Sequence, residues 1–402
     1  MSILEHRNDL DAFRLALREW FADTVPQGWQ KRMTNASHEE FRAFQHWWFQ
    51  ELNKVGLATP HWPAKWGGED LSIAHQIVFF EEMAQADAPD SVMFTISLYH
   101  LPATLAKWGT ETQIERYLPG VRRGDVWCQG FSEPGAGSDL ASLRTRAVRD
   151  GENYIVNGQK VWSSYGAYAD YYLLLARTDP SAPKHSGISC LIVDLKSAGI
   201  TIRPIRQING ESEFCEVFLD NVVVPATNIV GPENKGWQVA QSTLSAERGL
   251  LVFGLAERMN RLFHKLLADA AANHAGWAQD DQLRREFIRA YADMQAVRRL
   301  VRTMLDTVQH TGMMGELPAT IKILYSETLQ RFCELWTRIE GLAGQIWTPT
   351  FISSGYAKGL WMTDYLSSWT WTIAGGTNEI LRNVIAERQL GLPKESRVEA
   401  SP

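Results

Sequence analysis

WCQGFSEPGAGSDLASLRT, residues Trp127 to Thr145, is the stretch on which the reading of this chain turns. Gly135, Ala136 and Gly137 carry almost no side chain, so the backbone there can approach a bound group closely. Ser132, Ser138 and Asp139 add short polar groups suited to a phosphate or a flat ring. Alone, a Gly-x-Gly loop is weak evidence for such a site and is more often a simple turn. A second run, NGQKVWSS, follows and places Trp162 and Ser164 just beyond Asn157-Gly158, a dipeptide that predicts a tight hairpin turn.

Outward from these runs the character of the chain changes twice. Towards the C-terminus, β-prone segments continue in YYLLLART, GISCLIVDL, GITIRPI and CEVFLDNVVV, separated by Pro, Gly, Asn and Asp. They predict a mainly antiparallel β module over 123–233. Before it, apolar residues recur at helical spacing in Leu10, Phe13, Leu17, Trp20 and in Phe41, Phe44, Trp48, Leu52, which predicts a helical module over 1–122. After GPENKGW long helical patterns return over 234–395, and the polar tail 396–402 reads as frayed.

Composition narrows the function classes. The 402 residues are 45% hydrophobic and 21% charged with a net charge of -6, so there is no basic field to attract nucleic acid or anionic lipid. Most of the 16 tryptophans are expected in core or interface, since indoles supply large buried areas. Cys128, Cys190, Cys215 and Cys333 lie far apart, without the paired spacing of a zinc site or disulfide framework, and fit a reducing compartment. The first 25 residues mix acidic with apolar side chains, unlike a targeting peptide, and no run of about 18 apolar residues could span a membrane. A cytoplasmic protein is expected. No strand leads into a GxGxxG and no GxxxxGK[ST] occurs, so neither a Rossmann nor a P-loop site is supported. The histidines show no metal spacing.

Taken together, SEPGAGSD followed by NGQKVWSS resembles the acyl-CoA dehydrogenase family. So do TDPSAPKHSGISCLIVDLKSAGITIRPI, SEFCEVFLDNVVVPATNIVGPENKGW and GGTNEILRNVIAERQLGLP, in the family's order, and the resemblance covers nearly the whole chain. It implies an α+β fold: an N-terminal helical domain, a central β-barrel domain and a C-terminal four-helix bundle, with FAD at the junction of barrel and helices. It implies a dimer or tetramer, an acyl-CoA substrate and an electron-transfer flavoprotein as acceptor. Carried over residue by residue, Phe131 and Ser132 match contacts to the flavin pyrimidine, and Ser138 a contact to phosphate or substrate. Trp162 matches the indole packed on the isoalloxazine, Ser164 the hydroxyl near flavin N5, and Thr377 and Glu379 the C-terminal loop that meets the cofactor. An aromatic wall with hydrogen bonds at the ring edges is how a protein tunes flavin electronics.

The reaction the family implies removes a proton from Cα while hydride leaves Cβ, and the proton needs a carboxylate. A free glutamate, of pKa about 4.3, is a weak base that burial beside an acyl chain strengthens. In many members that glutamate directly precedes the Gly-Thr of the last motif, where this chain has Gly375 before Gly376 and Thr377. A smaller set places it on an earlier helix before an arginine. In STLSAERGLLVFGLAERM that position is Glu247, followed by Arg248, which is assigned to substrate. Gly375 keeps a backbone N–H that can bond the thioester carbonyl. Its missing side chain leaves space for a branched, cyclic or bulky acyl group, unless Trp361, Trp369 or Trp371 refills it.

Two segments depart from the family. LLADAAANHAGWAQDDQLRREFI lacks the Arg-x-x-Phe-Gly stretch that reaches a neighbouring subunit's FAD, and IEGLAGQIWTPTF alters the segment that meets the neighbour's adenosine. A heterotetramer with a homologous subunit therefore stands beside the homo-oligomer. Two other readings share the same residues: a flavin acyl-CoA oxidase, told apart by peroxide formed in air, and a non-catalytic or half-site partner subunit, told apart by its lack of flavin and turnover.

Overall fold

Side-chain oxygens open the N-terminal helices, as Asp, Ser and Thr ahead of apolar runs lead one to expect. Asp9 accepts from the N–H groups of Asp11 and Ala12 at the head of α1 (Leu10–Thr24). After the short α2 (Trp29–Met33), Ser37 and Glu40 form a reciprocal capping box on α3 (His38–Lys54). Ser72 caps α4 (Ile73–Gln85), Pro102 enters the first turn of α5 (Leu101–Trp108), and Thr110 with Gln113 boxes α6 (Glu111–Arg123). The predicted stripe of α1 is buried at Phe13, Leu17 and Phe21, and Phe21 stacks on Phe79 of α4. Burying each such side chain stabilises the fold by about 1.5–3 kcal/mol. On the flank, Arg18 Nε donates to the buried Glu82 carboxylate at 2.7 Å.

The computed structural model describes residues 3–246, 250–273, 275–312, 315, 317–349 and 360–394, with only the backbone at 244–246, 250, 251 and 273. Contacts divide the chain into two compact units. The first holds residues up to Leu250 and the segment that begins at Trp347; the second begins at Leu251.

The β module of the first unit has eight strands: β1 (Trp127–Gly130), β2 (Arg146–Asp150), β3 (Asn153–Ser164), β4 (Tyr171–Arg177), β5 (Ile188–Asp194), β6 (Ile200–Pro204), β7 (Phe214–Pro225) and β8 (Ile229–Val230). They form one sheet in the order β6-β7-β3-β2-β4-β5-β8, with β1 beside β4. The pairing is antiparallel except for β1 with β4 and the single contact of β2 with β4. Alternate residues, among them Tyr154, Val156, Tyr172, Leu174, Leu191, Val193, Val217 and Leu219, fill one core. Helix α7 (Gly236–Ala246) follows and packs on β5 and α5.

One expectation fails here. Asn157-Gly158 makes no hairpin turn, because it lies inside β3; the turn between β2 and β3 comes earlier, where Asp150 faces Asn153 across Gly151 and Glu152. At Asn157-Gly158 the register of β3 against β7 slips instead. Gly158 has φ 156, and a Cβ there would lie 2.4 Å from Thr145 Oγ1. The Asn157 carboxamide bonds across to Asn221, accepting from its N–H at 2.8 Å. A strand paired on both sides overrides a local turn preference.

The second unit contains α8 (Leu250–Asn273, of which all but the first residue belong here), α9 (Asp281–Thr311), α10 (Leu317–Ile339), α11 (Trp361–Ile373) and α12 (Asn378–Val384). Asp280 caps α9, and Gly312 at φ 70 ends it in the left-handed conformation. Aromatic rings knit the core: Phe263 meets Phe287 and Phe332, and Trp336 stacks on Trp361 at 4.9 Å. Among the described residues no helix is long and apolar enough to cross a membrane.

Candidate active site

In the first unit, the loop 131–139 springs from the end of β1 and is clamped to β3. Val161 donates its N–H to the Ser132 carbonyl at 3.0 Å. Glu133 and Ala136 exchange backbone hydrogen bonds, both of 3.0 Å, so Pro134-Gly135 form a tight turn. Beneath the turn lies an ion pair that sequence inspection did not single out. Lys160, fully buried, donates from Nζ to the Phe131 carbonyl at 3.0 Å and to Glu133 Oε1 at 2.8 Å. The Glu133 carboxylate also accepts from the N–H groups of Arg144 and Thr145, at 2.6 and 2.8 Å. Burial alone would raise the Glu133 pKa, but the Lys160 ammonium and these hydrogen bonds hold it below the usual carboxylate range. Burial brings Lys160 down to about 8, against the pull of Glu133, so the pair is ionised at pH 7. One signal for it was present: residue 160 continues the inward alternation of Tyr154 and Val156, where a lysine needs a partner.

Trp162 stands beside this clamp in an unusual backbone state. Lys160 faces Val217 and Ser163 faces Cys215, so β3 carries one residue more than β7 between them. In that bulge Trp162 takes φ 63, a left-handed conformation that is costly for a bulky residue and collects at functional sites. The bulge turns the indole outward: it is 55% exposed and meets the Phe214 ring edge-on, at 6.0 Å and 88°. Next to it, the Ser163 hydroxyl points inward to Tyr172 at 2.6 Å, while Ser164 stays partly exposed. An exposed indole beside polar groups can serve as a wall for a flat ring.

The glycines of the loop complete the test for a cofactor. Neither Gly135 nor Gly137 has positive φ, and a Cβ on either would meet nothing within 4 Å. The fold itself therefore makes no demand for glycine there, whereas a bound group resting on the backbone would. Ser138 is exposed at the far end of the loop, and its neighbour Asp139 pairs with Lys184. These features fit FAD. The structure thus brings Phe131, Ser132, Trp162 and Ser164 together, with Ser138 along the same loop.

The remaining assigned residues fall elsewhere. Gly375 and Gly376 link α11 to α12 with φ 65 and 92. Thr377 caps α12, its hydroxyl accepting from the Ile380 N–H at 3.2 Å, and Glu379 is exposed in the first turn. A buried lysine missed in the sequence holds this turn: Lys322 donates to the Gly376 carbonyl at 2.7 Å and to Asn378 Oδ1 at 2.8 Å. Of the tryptophans weighed as space-fillers, Trp361 stacks on Trp336 and Trp371 meets Tyr325 edge-on, while Trp369 is half exposed. Glu247 and Arg248 lie outside the described residues, as does the tail 396–402; α7 is described as far as Ala246.

Comparison with known proteins identifies the family. Family models for the acyl-CoA dehydrogenase N-terminal, middle and C-terminal domains match residues 7–125, 128–222 and 234–390. The chain is 38% identical to acyl-CoA dehydrogenase IpdE1 of Mycobacterium tuberculosis (strain ATCC 25618 / H37Rv), over 97% of this chain and 99% of that one. A solved structure described as the Tcur3481-Tcur3483 steroid ACAD matches with TM-score 0.83 and 34% identity, over 96% of this chain and 98% of that one. The ChsE4-ChsE5 complex from Mycobacterium tuberculosis matches with TM-score 0.77 and 29% identity, over 97% and 98%. The chain belongs to the acyl-CoA dehydrogenase family, with its fold of helical, sheet and helical domains. It is an oxidoreductase acting on a CH–CH bond.

Proposed function

We infer that the protein is an FAD-dependent acyl-CoA dehydrogenase whose substrate carries a bulky, ring-bearing acyl group. The observation that carries the cofactor reading is the exposed Trp162 at φ 63 beside two glycines that nothing in the fold requires. The ring-bearing substrate is supported by a relative described as a steroid ACAD and by glycine at residue 375.

In this reading Phe131, Ser132, Trp162 and Ser164 hold and orient the flavin ring, Ser138 meets phosphate or substrate, and Thr377 and Glu379 close the cofactor site. FAD bound there supplies the acceptor for the hydride that leaves Cβ. Glu247 takes the Cα proton, the Gly375 N–H donates to the thioester carbonyl, and Arg248 contacts substrate. Proton and hydride together leave a trans-2-enoyl thioester. The electrons then pass to an electron-transfer flavoprotein.

Assembly with a homologous subunit is favoured by two relatives whose names join two proteins, one of them described as a complex. Anaerobic titration of the purified yellow protein with straight, branched and ring-bearing acyl-CoAs tests the reading. Ring-bearing thioesters should bleach the flavin band, and Glu247→Gln should keep FAD but not bleach. Bleaching by straight chains alone rejects the substrate class; unchanged bleaching by Glu247→Gln rejects the base.

A further inference from the structure

Leu98 has a carbonyl with no ordinary helical partner. In an α-helix it would accept from residue 102, which here is Pro102 and has no N–H. The backbone answers with a π turn, Ile96–His100, in which the Leu101 N–H bonds Ile96 O, an arrangement frequent at functional sites. The Leu98 carbonyl is satisfied from outside the helix: Trp62 Nε1 donates at 2.9 Å and His61 Nε2 lies at 3.1 Å. The loop that carries both residues is itself stiff, with Leu71 N–H on Pro60 O at 2.9 Å and Asp70 N–H on Trp62 O at 3.0 Å.

That bond sets the state of His61. A carbonyl only accepts, so Nε2 carries the proton and Nδ1 keeps its lone pair. Burial lowers the imidazole pKa to about 4, so the ring is neutral at pH 7. Tyr99, from the middle of the π turn, stacks on it with centroids 5.1 Å apart and planes 3° from parallel. Both residues are half-buried. Among the described residues, neither the Tyr99 hydroxyl nor His61 Nδ1 has a hydrogen-bond partner. One donor and one acceptor are thus held on parallel rings.

The π turn is fastened to the elements that carry the chemistry. Ser97 Oγ accepts from the Trp127 N–H at 2.9 Å and donates to Asp125 O at 3.2 Å, pinning the turn to the start of β1. Thr104 of α5 shares a 2.7 Å hydrogen bond with Thr243 of α7, and the Trp108 indole donates to Ser242 at 3.0 Å. The turn lies between the strand that leads into the glycine loop and helix α7, whose described part reaches Ala246.

We propose that the stacked His61–Tyr99 pair is a specificity subsite that recognises a hydroxyl group on the ring of the acyl substrate. The hydroxyl donates to His61 Nδ1 and accepts from the Tyr99 hydroxyl. A ring ketone can use Tyr99 only, and a bare hydrocarbon ring neither. The proposal rests on the ring-bearing reading above.

The test uses cyclohexane-1-carbonyl-CoA and decalin-carbonyl-CoA, each with a ring hydroxyl, a ring ketone or no oxygen. In one of the two series, wild-type kcat/KM should fall from hydroxyl to ketone to hydrocarbon, by roughly five- to tenfold for each hydrogen bond lost. Tyr99→Phe should lower hydroxyl and ketone substrates and spare the hydrocarbon. His61→Phe, which leaves Trp62 on the Leu98 carbonyl, should lower the hydroxyl substrate alone; flavin content and Tm report that each variant is folded. Equal rates within both wild-type series, or variants that slow all three members alike, overturn the subsite while leaving the ring-bearing reading intact. If only straight-chain thioesters bleach the flavin, that reading falls and takes the subsite with it.

Discussion

The glycine loop 131–139 and the Gly375-Gly376 turn are both short glycine-bearing segments whose backbone carbonyl is gripped by a buried lysine, yet glycine has a different purpose in each. In the loop, Lys160 holds the Phe131 carbonyl, and Gly135 and Gly137 have ordinary backbone angles with open space around them. At the turn, Lys322 holds the Gly376 carbonyl, and both glycines sit in the left-handed region. The first pair leaves open space that the fold does not fill, whereas the second lets the chain itself turn between two helices.

The sharpest way to break this comparison is to remove a lysine. Lys160→Met leaves the Glu133 carboxylate buried without its ammonium and should lower stability by about 3–5 kcal/mol, read as a fall in Tm. Adding Glu133→Gln should recover part of that loss, because the uncompensated charge disappears. An unchanged Tm for the single variant would mean that the ion pair does not clamp the loop.

Gly376→Ala comes next. A non-glycine residue in the left-handed region costs about 1–2 kcal/mol, so Tm should fall while the purified protein keeps its flavin. Loss of flavin at unchanged Tm would mean that glycine at residue 376, like the loop glycines, is there to admit the cofactor rather than to let the chain turn.

A smaller effect is expected from acid. The Glu133 pKa is lowered on folding, so its contribution is fully present above the unfolded value of about 4.3 and is lost as pH falls through the lower folded value. Glu133→Gln should flatten that acid limb in chemical denaturation curves. Parallel curves for the two proteins would contradict the assignment. Smallest in stability is Gly135→Ala, which should stay within about 0.5 kcal/mol of wild type yet lose FAD affinity at least tenfold by equilibrium dialysis. Retained affinity would mean that the open space is not used.

Legibility differed sharply along the chain. The apolar stripe of α1 could be read directly, because helical spacing acts within a few residues. Asn157-Gly158 was misread for the complementary reason: β2 and β7 flank β3 from distant positions, and their pairing outweighs a local turn signal. Trp162 could be named from the motif it belongs to. Its outward indole could not, since the bulge that turns it exists only where β3 meets β7.

The sequence by itself determined the family and the order of helical and β modules and named the candidate flavin-site residues, because these rest on local periodicity and on motifs that keep residue type and spacing. Only the tertiary structure decided that Lys160 and Glu133 tie the two motifs together, that Pro102 leaves Leu98 to be satisfied by His61 and Trp62, and that Tyr99 stacks on that imidazole. Each depends on groups 27 to 38 residues apart. Burial brings them together, and the need to satisfy a charge or carbonyl away from water selects the partner.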